Sequence, residues 1–279
     1  MAERFWEQVK ANGLKVPEDR PLAELTSELT SMLGDPDPHR RDGIAYPTLA
    51  AWVSEGVYDD LLQGLGDGMA TGLDVGLGED GTDSVFRRSF SCLVLTECIV
   101  RDNQMHLVPG DTILRWGDRI AGWLVRERDL RGFVPGSGWA HALAHGADAI
   151  GALACAETMG RLELTVLLDV LADRLLEPTH YHLVHGEPDR LALATMQVLR
   201  RNLVGLDVLE PWVARLAHRA ATSGGDSATD PFLVTGNVQA YLRALYLQLA
   251  LAPNPPACRA DLLLSLIDGL KLSNPGYLV

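Results

Sequence analysis

The stretch ERDLRGFVPGSGWAHALAHGAD, from Glu127 to Asp148, gathers two arginines, a tryptophan, two histidines and several carboxylates around a glycine-rich turn. Histidines titrate near neutrality and can shuttle protons. Arginines present planar donor forks to carboxylate or phosphate, and Trp139 can supply a stacking wall. Placed on a helix, His141, His145 and Asp148 fall within about 60° of one another, opposite an apolar stripe of Leu143, Ala147, Ile150 and Ala154. That spacing, i, i+4, i+7, lets three side chains converge. His-x3-His is also a zinc spacing, with Asp148 as a third ligand. Ala142, however, stands where the HExxH motif carries its glutamate. No metal and no cofactor are therefore expected.

Three other loops depart from bland composition. One carries Glu79, Asp80 and Asp83, followed by Arg87 and Arg88. A second, EPTHYHLVHGEPDR from Glu177 to Arg190, carries His180, Tyr181, His182, His185 and Glu187. A third carries Asp230, Thr235, Asn237 and Gln239. The candidate ligand-binding set is Arg87, Arg131, Trp139, His141, His145, His182 and His185. His141, His145 and Asp148 are the acid–base candidates. There is no GxGxxG, no Walker loop and no GxSxG, and no nucleophile is set beside a base by spacing.

The elements that must position these residues read as helices. Openings are expected at Pro21, at Asp37, at Asp83 as an N-cap, near Pro109, near Ser137, at Arg161, at Pro188, at Pro211 and near Asn237. Pro47 is expected to kink or interrupt its helix. A glycine-weakened helix runs from about Tyr58. No segment alternates with period two, so no sheet is predicted. Every second helix begins about 50 residues after the one before, a period that suits stacked helical hairpins. FVPGSGWAHALA at Phe133 aligns with LVHGEPDRLALA at Leu183, fifty residues on. DPDPHRRDGIAYPTL also looks like the helix opening of HEAT-repeat proteins. The predicted fold is all-α: stacked antiparallel hairpins over residues 1–279 as one helical-repeat domain, either a HEAT/armadillo-like α-solenoid or a partly closed α/α toroid. In such a stack, equivalent loops line one edge, which would bring the two histidine-bearing loops together.

Composition bounds the partners. The chain has 279 residues, 47% hydrophobic, with a formal net charge of −13. An acidic balance argues against nucleic acid and against anionic lipid. Cys92, Cys98 and Cys155 fall in apolar helical stretches and read as reduced core residues, Cys258 lies apart, and no CxxC pair occurs. No apolar run approaches the roughly 20 residues of a membrane helix, and the first residues read as an amphipathic helix rather than a signal peptide. A cytoplasmic location is expected.

ERDLRGFVPGSGWAHALAHGAD, with LRALYLQL (Leu242–Leu249) and RDGIAYPTLAAW (Arg41–Trp52), resembles a bacterial family catalogued as domain of unknown function 2785. The resemblance implies a single full-length domain of bacterial origin and transfers no mechanism. The function expected from the residues is binding of a small anionic molecule or an acidic peptide in a His/Arg/Trp-lined pocket, with a homodimer compatible with it. One alternative is an enzyme using histidine acid–base chemistry on a small metabolite, in secondary metabolism or self-resistance. Another is a protein-interaction scaffold without catalysis.

Overall fold

The computed structural model describes residues 2–221, 230 and 232–278. These residues are predominantly helical. The chain divides into two compact units, Met1–Ala149 and Ile150–Val279.

In the first unit, α1 (Ala2–Ala11) and α2 (Leu22–Met32) lead to α3 (Pro38–Arg40), which runs through a π-turn (Arg41–Ala45) into α4 (Tyr46–Ser54). Asp37 caps α3 as expected, accepting from the His39 N–H at 2.9 Å. Pro47 sits in the first turn of α4, directly after the π-turn. The helix is interrupted just before it, by the π-turn. Then come α5 (Leu62–Gly72), α6 (Ser84–Met105) and α7 (Gly110–Arg126). The 22-residue α6 packs on α4 and α5, and α5 also packs on α7. On α7, Ile113, Trp116, Gly117, Ile120, Trp123 and Leu124 form the buried stripe, the 3.6-residue periodicity that buries one face. Trp6, Trp52, Trp116 and Trp123 are the largest buried side chains of this unit.

Four expectations need correction. The helix predicted at Ser137 begins at Ala142, as α8 (Ala142–Ala154). A two-stranded antiparallel ribbon, β1 (Phe133–Val134) and β2 (Gly138–Trp139), takes the place of its first turn. Between the strands Ser137 N–H bonds to the Val134 carbonyl at 3.0 Å, and Gly136 has φ +84°. Pro135–Gly136 therefore makes a type II turn. The next helices are α9 (Arg161–Leu176), α10 (Glu187–Arg200), α11 (Leu206–Ala221), α12 (Phe232–Leu251) and α13 (Arg259–Ser273). Pro188 opens α10 as expected. Pro211 instead lies inside α11, and Asn237 lies inside α12. Finally, Cys155 is exposed just after α8, while Cys92 and Cys98 are buried; all four cysteines are free.

Within the second unit, α10 packs on α12, α11 on α13, and α9 on α10, α11 and α12. Helices thus meet the element two places along as well as their sequence neighbour. Among the described residues no helix is long and apolar enough to cross a membrane.

Candidate functional site

The loop from Glu127 to His141 is built on two buried carboxylates. Glu127 meets Arg88 of α6 in a fully buried two-pronged pair, at 2.6 and 2.8 Å. Its oxygens also accept from Trp123 Nε1 and from the backbone N–H groups of Arg128 and Asp129. The rest of Arg88 donates to the Val75 and Gly76 carbonyls and to Ser84 Oγ. Every prong has a partner, which is what makes such a pair tolerable in a low-dielectric interior. Asp129, equally buried, accepts from the Gly81 N–H at 3.0 Å and from Arg131 Nε and Nη2 at 2.9 and 2.6 Å. Arg131 also donates to the Thr82 carbonyl at 2.6 Å. Arg131 therefore fastens its own loop to residues 81–82.

The ribbon is held from the other side by Arg41. This fully buried guanidinium donates to the Ser137 carbonyl at 2.6 Å and to the Asp35 carbonyl at 2.8 Å. It lies over the rings of Phe86 and Phe90, 4.0 and 4.9 Å from their centroids, a cation–π arrangement. Gly138, at φ +77°, is in the left-handed region that favours glycine, and a Cβ there would crowd Pro38 Cβ at 3.0 Å.

Beyond the ribbon, Trp139 stacks on His141 with centroids 4.3 Å apart and meets Phe133 edge-on at 5.0 Å. Phe133 and Trp139 are exposed, and His141 is half-buried. His141 is not helical. At φ +50° it precedes α8 and its carbonyl accepts the His145 N–H at 2.9 Å. His145 is buried, its Nδ1 2.7 Å from Ser89 Oγ. Ser89 places its single proton on the Ala140 carbonyl, so its oxygen accepts from His145 Nδ1–H. That polarity is the reverse of a nucleophile–base pair, in which the hydroxyl donates to the imidazole. Asp148 is half-buried one turn further along α8.

Of the candidate set, the structure gathers Trp139, His141 and His145 at one corner, with Arg131 two residues before the ribbon. His182 and His185 belong to the second unit. Their loop is tied to α12 by Asn237, which accepts from the Leu183 N–H and donates to the Tyr181 carbonyl, both at 2.9 Å. His185 N–H bonds Glu187 at 2.8 Å, and its ring stands 4.0 Å from the same carboxylate. Among the described residues no group of three or more His, Cys, Asp or Glu side chains could hold a metal ion.

Arg87 faces elsewhere. It is two residues from Ser89, so about 200° around α6. Its Nη1 donates to the Thr30 carbonyl of α2. Among the described residues no carboxylate reaches it; even Asp83, one turn earlier, makes no pair. Burial pushes the Arg87 pKa down, with no carboxylate to oppose it. Arg87 lines a groove of about 600 Å³ between α2 and α5, together with Thr26, Thr30, Tyr58, Gly64 and Gly68 among others. Tyr58 donates to Thr26 Oγ1 at 2.8 Å, since the Thr26 proton goes to the Leu22 carbonyl. Burial pushes its phenol up to about 12. Beside Arg87, the Ser91 hydroxyl is buried without a hydrogen-bond partner and abuts Gly72. No spacing rule marked this groove; its parts come from α2, the loop before α5, α5 itself and α6.

No curated protein and no solved structure matches the chain. The family match begins at Leu73 and so leaves out the early stretch Arg41–Trp52 that shares in the resemblance. Residues 73–247 match the family described as Protein of unknown function (DUF2785), and the chain belongs to that family.

Proposed function

We propose that this protein binds a small organic anion, and that the anion sits in the α2–α5 groove against Arg87. The observation that carries this reading is a half-buried arginine lining a cavity, with no carboxylate paired to it among the described residues. Burying an unpaired charge costs stability, and a ligand carboxylate would offset that cost. The Trp139–His141 corner and the second-unit histidines fit less well as charge partners for an anion. Arg131, two residues before the ribbon, is already engaged by Asp129. The binding reading is therefore favoured over histidine catalysis and over a scaffold without a ligand.

The repeat architecture belongs to the same proposal. Hydrogen bonds link Tyr46 to Glu97, Asp67 to Trp116, Thr82 to Arg131, Asp169 to Arg215 and Thr195 to Tyr241, at separations of 51, 49, 49, 46 and 46 residues. Such separations are what successive hairpins of a HEAT-like stack would give. A cytoplasmic location agrees with four free cysteines in an acidic chain.

Calorimetric titration with octanoate tests the binding reading. A charge-assisted hydrogen bond from arginine is worth about 1.5–3 kcal/mol, so Arg87→Met should weaken binding roughly 10- to 150-fold. Its thermal midpoint should hold or rise, because the unpaired charge is gone. Equal affinity in wild type and Arg87→Met would end the proposal.

A further inference from the structure

The α5 helix carries glycines that its packing does not explain. A Cβ on Gly66 would strike the Trp116 ring, and one on Gly72 would strike Ser91, so those two glycines are required by close approach. Gly64 and Gly68 differ. Their backbone is ordinary helix, and a Cβ on either would meet nothing within 4 Å. Glycine weakens a helix relative to alanine, yet here it occupies two positions one turn apart that have open space in front of them. Both positions line the groove that holds Arg87. They keep one wall of that groove down to bare backbone.

The two ends of the groove are unlike. Tyr58, just before α5, bonds to Thr26 in the first half of α2, and Asp60 and Leu61 lie beside it. Arg87 bonds to Thr30, one turn further along α2. The arginine thus marks one end and Asp60 the other. Asp60 is exposed and, among the described residues, has no ion-pair partner. From Leu61 to Met69 the α5 wall runs eight residues, about 12 Å at helical rise. The apolar part of the lining includes Leu22, Ala23, Leu65 and Met69.

Building on the anion-binding reading, we propose that the groove takes a monocarboxylate with a slender apolar body. Its carboxylate sits on Arg87, its body lies along Gly64 and Gly68, and its uncharged end sits by Leu61 and Asp60. The exposed carboxylate of Asp60 disfavours a second negative charge at that end. Selection of mono- over dicarboxylates follows from that, and selection of long over short chains follows from the glycine wall.

Calorimetry with acetate, octanoate and octanedioate on the full chain tests this. Wild type should bind octanoate at least tenfold more tightly than acetate or octanedioate. Gly68→Leu, which fills the groove from a helix-compatible position, should weaken octanoate at least tenfold and leave acetate unchanged, with a thermal midpoint at or above that of wild type. Asp60→Asn should recover octanedioate binding towards that of octanoate. If acetate and octanoate bind alike and Gly68→Leu changes neither, the ligand class is wrong while the anion site at Arg87 stands. If octanoate and octanedioate bind alike in wild type, the role of Asp60 is wrong. If folded wild type binds none of the three, the anion reading itself fails, and this inference with it.

Discussion

Arg87 and Arg88 are adjacent, chemically identical and placed on the same helix, yet they meet opposite fates. Arg88 closes a buried pair with Glu127 in which every nitrogen has a partner. Arg87 is left with one backbone carbonyl. Nothing in the sequence separates them, because the difference arises from which helices pack on each side of α6. Arg131 carries the same lesson. Its type and its neighbours suggest an anion ligand, but its geometry is that of a clasp between Asp129 and the Thr82 carbonyl. Arg131→Ala should accordingly lower stability by about 1–3 kcal/mol, the cost of stripping partners from buried polar groups. It should leave octanoate affinity unchanged. Urea unfolding read alongside calorimetry checks both halves, and loss of affinity at full stability would return Arg131 to the binding site. Tyr58 gives a pH signature. Its folded pKa, about 12, lies above the ordinary tyrosine value near 10. Its contribution is fully present below pH 10 and is lost as the pH rises towards 12, because only the unfolded phenol ionises in that window. Wild type should lose stability relative to Tyr58→Phe between those values and not below them. An identical pH dependence for the two proteins would contradict the burial of that phenol.

At the scale of elements, α5 separates two kinds of glycine. Gly66→Ala should cost about 1–3 kcal/mol by forcing α5 off Trp116, while Gly68→Ala should gain about 0.5–1 kcal/mol of helix stability. Thermal unfolding of the two variants reads the contrast directly; a loss in Gly68→Ala would mean that the space before it is filled by protein. Helix openings at Asp37 and Pro188 were legible because capping and proline chemistry is local; α6 also begins where expected, just after Asp83, although the Asp83 side chain makes no capping bond. The ribbon at Phe133–Trp139 also had a local signal, Pro135–Gly136, but the helical spacing of His141, His145 and Asp148 suggested that the helix reached back over it. The turn prevails because Gly136 and Gly138 adopt left-handed φ and Arg41 fixes the Ser137 carbonyl. Asn237 was misread as a helix opening for a different reason. Its side chain serves a backbone loop 54–56 residues away, a partner that no short-range rule supplies.

At the scale of the molecule, the predominantly helical class followed from leucine- and alanine-rich segments with turn residues between them. The site was less legible. The sequence drew attention to histidines and tryptophan because they are chemically versatile, and Arg87 entered the candidate set only as one charge among several. What distinguishes it is that, among the described residues, no carboxylate pairs with it, in a groove assembled from four separate segments. The most direct test is a crystal structure of the protein grown with saturating octanoate. The carboxylate should lie within hydrogen-bonding distance of the Arg87 guanidinium, with the chain between α2 and α5 against Gly64 and Gly68. An empty groove with octanoate bound at Trp139 and His141 instead would contradict the account.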